Sequence, residues 1–311
     1  MKEKVLWVGI LLVLISNIGN YIFFQSKQLE EPIFLDHYIT KEIYDEQHEV
    51  QLTFYYLTNK KDPDTVSYAE VNEVMLHPEN NAWMWFDNHQ QPRVHYEQEY
   101  SHYYLMAATF RVPVDMLSLE AGDSWSFENI NVYFSNGQQV ADIGKVKITK
   151  LNRANEGFDF RMSGSSHRGV NVITAREKLN IVDIQLPFAE EISNDIAMKV
   201  DSDNEQIKEE FDYHQTRSDS AGDDLQIAWK DVPGIELTQD VFPITLEKDG
   251  WIKISTKLSD NRISFFDFSM SVIGETESGE EIIGQSHILD HPYLESEDVQ
   301  ELINKKGGGT K

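Results

Sequence analysis

Cysteine is missing altogether from the 311 residues of the chain. That single absence excludes disulfides, thiol chemistry and an amino terminus lipidated through cysteine. A protein built for an oxidising exterior without staples fits a bacterial envelope better than an animal secretory pathway. Basic residues are also scarce, with 27 Lys and Arg against 53 Asp and Glu and a net charge of −26. A surface of this sign repels phosphate backbones and anionic lipid headgroups, so nucleic-acid partners are not expected. Long amphipathic helical windows are nearly absent; the best, Asn194 to Glu210, is weak, which argues against helix-rich enzyme folds.

One apolar run stands out against this background. "VLWVGILLVLISNIGNYIFF", Val5 to Phe24, carries no charge, and its only polar residues are Ser16, Asn17 and Asn20. As a helix it would measure about 30 Å, the hydrocarbon thickness of a bilayer. It has no polar stripe of the kind a soluble core helix shows. Lys2 and Lys4 precede it and Glu30 and Glu31 follow Lys27, so the positive-inside rule puts residues 1–4 in the cytoplasm and the bulk outside. The pairs a signal peptidase would meet, Asn17 with Gly19 and Phe24 with Ser26, suit cleavage poorly. The expectation is an uncleaved signal anchor, with a cleaved signal as the alternative. Gly9 and Gly19 are not in GxxxG spacing, which leaves helix pairing unsupported.

Beyond the run, removing Lys2, Glu3 and Lys4 leaves 25 basic and 52 acidic side chains, a net charge of −27. Residues 25–48 read as a spacer. "EVQLTFYYLT", Glu49 to Thr58, places Val50, Leu52, Phe54 and Tyr56 on one strand face. "HYYLMAATFRV", His102 to Val112, is a second strand, and Ser135-Asn136-Gly137 between two more signals a hairpin. The second half continues with "GFDFRM", "VNVITA", "LNIVDIQL", "LQIAWK", "FPITLE", "WIKISTKL" and "ISFFDFSMSVI". Short strands at regular spacing with turn signals predict an all-β chain of two tandem β-sandwich, immunoglobulin-like domains behind one transmembrane helix. The expected limits are 49–150 and 151–295, with an acidic insertion at 201–224 and a disordered tail at 296–311. "NGQQVADIGKVKI" and "SGEEIIGQSHI" echo one another and suggest related units.

Catalytic patterns are thin. His95 and Glu97 lie two apart in "HQQPRVHYEQEYSH"; on a strand they are about 6.6 Å apart and could share an ion, whereas Glu99, about 13 Å from His95, could not. His287 and His291 have the i, i+4 spacing of a helical zinc pair, but Pro292 disfavours a helix and no Glu follows His287. A metal-assisted envelope hydrolase would need His95, Glu97, His102, His287 and His291 to converge. Asp201, Asp203 and Glu205 begin like a calcium loop, yet Gln206 stands where Gly is needed and Asp212 where Glu is usual. Weak divalent cation binding is the most expected there. "SGSSHRG", Ser163 to Gly169, lacks the spacing of a nucleophile elbow. Trp83, Trp85, Tyr96 and Tyr100 form an aromatic segment able to stack on sugars, the best candidate ligand surface. The reading is a membrane-anchored, extracytoplasmic binding or scaffolding protein without catalysis or cofactor, with a membrane or envelope protein as partner. A glycan-binding module using 83–104 and the metal hydrolase are the alternatives.

Overall fold

The computed structural model describes residues 2–45, 47–79, 95–151, 157–165, 167–203, 225–291 and 293–307. Strand dominates, at 51% of the chain, behind a single amino-terminal apolar helix, and the sheets fit β-sandwich packing. That helix, α1 (Lys2–Gln25), exposes its side chains from Trp7 onward and is long and apolar enough to cross a membrane.

In the first part of the chain the strands are β1 (Ile33–Phe34), β2 (His37–Ile43), β3 (Glu49–Asn59), β4 (Val66–Val71), β5 (Val74–Leu76), β6 (Gln98–Glu99), β7 (Tyr103–Pro113), β8 (Ser124–Phe134) and β9 (Gln138–Lys150). The second part adds β10 (Phe158–Ser165), β11 (Arg168–Ala175), β12 (Leu179–Gln185), β13 (Ile196–Ser202), β14 (Ile235–Glu236), β15 (Ile244–Leu246), β16 (Trp251–Leu258), β17 (Phe265–Thr276) and β18 (Glu281–Asp290). Two further helices are α2 (Ala189–Ile192) and α3 (Ser296–Lys306).

Three sheets result. A four-stranded sheet runs β1-β3-β7-β6, and a five-stranded one β10-β11-β16-β13-β14. The third and largest runs β15-β12-β17-β2-β9-β8-β4-β5, with β18 also paired to β17. β17 carries the connection. Its residues Ser271–Thr276 pair antiparallel with β12, while Phe265–Asp267 pair in parallel with His37–Ile39 of β2. β2 in turn pairs along its whole length with β9.

Strand alternation then assigns each face of this sheet to a different core. His37, Ile39, Ile43 and Phe265 point toward the four-stranded sheet, into a cluster with Leu52, Phe54, Tyr56, Phe110, Val146 and Ile148. Phe266, Phe268, Met270 and Val272 point the other way, into a cluster with Ile181 of β12 and with Ile173, Ile252 and Ile254 of the five-stranded sheet.

Buried His37 fastens the first core. Its Nε2 accepts the Tyr55 N–H at 2.7 Å, and its Nδ1 lies 3.0 Å from the Ile143 carbonyl, which fixes a neutral tautomer. Burial pushes the imidazole down to about 3. Across from it, Gly144 has φ +87, and a Cβ there would meet the His37 backbone oxygen at 2.5 Å. Only glycine lets β9 approach β2 that closely.

Several expectations need correction. Residues 25–48 are not a spacer: β1 and β2 lie within them, and Ile33, Phe34, Leu35, Ile39 and Ile43 are buried. The tail is ordered through Gly307, because Val299 and Leu302 of α3 enter the first core. Glu295 and Asp298 form its capping box, and Lys305 and Lys306 pair with Asp36. The division at 150/151 also fails to follow the packing, since Phe265 and Leu294 belong to the first core. The weak helical window contains strand β13 instead, paired on both sides, and "LQIAWK" contains a 3-10 turn at Trp229–Asp231. Of the acidic stretch 201–224, residues 204–224 lie outside the described residues. Asp201 and Ser202 are not part of an exposed insertion, because β13 buries both. The two echoed segments form hairpin arms, but Gly144 faces His37 whereas Gly284 faces Phe160 and Phe158, so the glycines do different work.

Candidate functional site

Two concavities meet at the end of β18. One is a cleft of about 540 Å³ between β18 and the β10–β11 hairpin, lined by Ser163, Ser165, Arg168, Asn171, His287 and Asp290 among others. The other, about 360 Å³, lies between β18, the end of β2 and the start of β3, with Lys41, Glu42, Gln47, Gln51 and Asp267. His287, Leu289 and His291 line both. Each is of a size that holds a small ligand or a peptide side chain.

Hairpin register explains the chemistry gathered there. Ser269 is opposite His287 and Asp267 opposite Leu289, so Asp267 and His287 are diagonal neighbours on one face. His287 Nε2 lies 3.2 Å from Asp267 Oδ1, which also takes Lys41 Nζ at 2.6 Å. Burial raises the Asp267 carboxyl, but His287 and Lys41 outweigh it and hold the group below its usual range. Next to it, Ser269 Oγ donates to Glu42 Oε2 at 3.2 Å, and burial raises the Glu42 carboxyl. His291 Nδ1 sits 2.6 Å from the Tyr55 hydroxyl, with its ring 5.1 Å from that of Phe265. Tyr55 has its phenol pushed well up by burial, with Glu97 and Asp267 adding to the effect. At the far wall Asp290 is held by Arg262 and lies 3.2 Å from His167 Nδ1.

Among the described hydrogen bonds none joins His287 to a hydroxyl that it could activate, and the Tyr55 phenol stays protonated. Among the described residues no three His, Asp or Glu side chains are grouped to hold a metal ion. His287 and His291 share a strand face four residues apart, about 13 Å, because the segment is extended rather than helical. Helical zinc spacing therefore does not apply.

The other expected residues are dispersed. Trp83, Trp85 and His89 lie outside the described residues. Tyr96 is 40% exposed, stacks on Tyr104 at 4.5 Å and donates to Glu99. Tyr100 is committed to the fold, with its hydroxyl bonded to Gln98 Oε1 and the Leu294 carbonyl. His95 and Glu97 are exposed, but they precede β6 and do not share a strand. His102 packs on Phe24 at the end of α1. Asp267, Lys41, Tyr55, Asp290 and Arg262 were not anticipated. Counting residue pairs outward from the Glu277-Ser278-Gly279 turn would have found Asp267 beside His287.

No protein family matches the chain, and no curated protein does. Among solved structures, the collagen binding domain of the Erysipelothrix rhusiopathiae surface protein RspB is 8% identical, with 85% of this chain and 94% of that one covered at a TM-score of 0.22. A Bacteroides ovatus protein described as carbohydrate binding is 9% identical, covering 83% of this chain and 70% of that one at a TM-score of 0.20. Likenesses of this size carry no argument.

Proposed function

We propose that the protein is a membrane-anchored, extracytoplasmic binding or scaffolding component of a bacterial cell envelope, acting without catalysis. In this reading the two packing units are two β-sandwich domains in tandem that share a sheet. α1 is an uncleaved signal anchor with a cytoplasmic amino terminus. A membrane or envelope protein partner docks where the two clefts meet. The observation that carries the reading is Leu289. Its side chain is 55% exposed between the two concavities on a strand whose second edge has no partner among the described residues. An open strand edge offers backbone groups to which a partner segment can pair, and Leu289 beside it offers an apolar contact.

Because the chain has no cysteine, one can be introduced cleanly. Leu289→Cys in the full chain is treated with a membrane-impermeant maleimide photo-crosslinker on cells with an intact cytoplasmic membrane. Val140→Cys, 67% exposed in the first part of the chain, is the control. The expected result is labelling of both and capture by position 289 alone of a membrane or envelope protein. Labelling only after the cells are opened would overturn the topology. Equal capture, or none, at the two positions would overturn the binding site.

A further inference from the structure

α1 does not lead into a tether. Lys27 N–H bonds back to Phe24, and the Tyr103 hydroxyl donates to the Lys27 carbonyl at 2.6 Å. Asn59 then clamps Leu29 through both its N–H and its C=O, each at 2.9 Å. The β-rich body is therefore held against the end of the helix, and side chains touching that end share its depth. The His102 ring is 5.9 Å from that of Phe24, and Lys61 Nζ is 5.5 Å above the same ring. Lys27 Nζ lies 5.8 Å over Phe23.

If α1 spans the bilayer, as proposed above, Phe24 marks the edge of the hydrocarbon. Each headgroup layer beyond it is about 5–8 Å thick. Lys27, Lys61 and the β6–β7 turn fall within that layer. Tyrosines and lysines are the residues this layer favours, through amphipathic rings and through charged tips on apolar stems. On this same face a cleft of about 260 Å³ opens between the β6–β7 turn and the first turns of α3. Lys27, Ser101, His102, Ser296 and Gln300 supply its polar groups, and none of the residues lining it is a carboxylate. Although the chain carries a net charge of −26, Lys27 and Lys61 have no carboxylate partner among the described residues. Some of the neighbouring acids are engaged elsewhere. Glu99 is taken by Lys60 and Tyr96, and Glu295 and Asp298 by the α3 cap.

We propose that this face is a lipid-contact surface and that its cleft takes the phosphate of a phospholipid headgroup, with Lys27 as the principal cation. The surface locks the body's orientation, so that the β18 clefts are presented at a fixed height above the membrane.

Spin labels test this in the full-length protein, one on Ile15→Cys within α1 and one on Glu297→Cys beside the cleft. In phosphatidylcholine nanodiscs the Ile15 label is expected near the bilayer centre and the Glu297 label at headgroup depth with restricted motion. In dodecyl maltoside micelles the Glu297 label should become mobile. Added short-chain phosphatidylcholine should restore the restriction, inorganic phosphate should not, and Lys27→Gln should abolish it. A Glu297 label that reads bulk water while Ile15 reads the bilayer centre overturns the lipid surface and leaves the anchor standing. Water at both positions overturns the two together. Restriction by inorganic phosphate alone shows an anion site and overturns the lipid assignment. Restriction that persists in plain micelles shows that no headgroup is needed, with the same consequence.

Discussion

Phe265 and Phe266 are neighbours on one strand, yet they serve different cores. The first packs with His37, Tyr55 and the four-stranded sheet, the second with Phe268 and the strands of the five-stranded side. The core around His37 is closed: this neutral, fully buried histidine satisfies the backbone of Tyr55, and Val299 and Leu302 of α3 pack into the same cluster. The β17–β18 hairpin is open by contrast, with the ion-paired His287 and Asp267 at clefts whose edge reaches Phe265. The contrast shows how two packing units can be joined without a linker. One strand donates alternate residues to each, so neither core is complete without it.

Removing His37 should produce a large effect, confined to the closed side. His37→Leu leaves the Tyr55 N–H and the Ile143 carbonyl buried without partners, a cost of about 3–5 kcal/mol. The wild-type residue also sets an acid limit. Burial lowers its imidazole to about 3, whereas the unfolded group takes up a proton below about 6.5. Its contribution is therefore complete above pH 6.5 and lost as the pH falls toward 3, on the order of 4–5 kcal/mol across that range. Urea unfolding of the full chain in micelles from pH 7 to 4 should show the decline in wild type and a flatter profile in His37→Leu. Equal slopes would remove His37 from the account.

On the open side the effect is smaller. Asp267→Asn breaks the contacts of a buried carboxylate with the partly exposed Lys41 and His287, and should cost about 1–2 kcal/mol. Its carboxyl is held below its usual range, so this contribution is present above about pH 4 and fades below it. A stability difference between wild type and Asp267→Asn that persists at pH 3 would contradict the ion-pair assignment.

Much of this comparison can be read in the sequence, but the joint cannot. The alternation of Glu49 to Thr58 and the Asn136-Gly137 turn announce their strand and hairpin, as does the charge-free run for α1. β2, "HYITKEI", was missed because its middle carries Lys41 and Glu42, charges that belong in a buried sheet only once Asp267 and Ser269 answer them from more than two hundred residues away. The signals for α3 were present, in Glu295 with Asp298 as cap and in Val299 with Leu302 as apolar face, but the lysines and glycines that follow concealed them. At the candidate site the sequence singles out His287, His291 and the stretch Ser163 to Gly169, part of which lines one cleft, but not the groups that answer them. The spacing of the two histidines suits a helical zinc pair, which Pro292 already argues against, and extended backbone separates them and gives each a different partner.

The central claim is that β17 makes the two packing units one cooperative structure. Differential scanning calorimetry of the full chain in micelles, with Phe265→Ala and Phe266→Ala alongside, tests it directly. Each substitution removes a buried ring at a cost of about 3–5 kcal/mol. The account predicts one transition, with calorimetric and van't Hoff enthalpies equal, lowered by either substitution to a similar extent. Two separate transitions in wild type, with Phe265→Ala moving one and Phe266→Ala only the other, would contradict it.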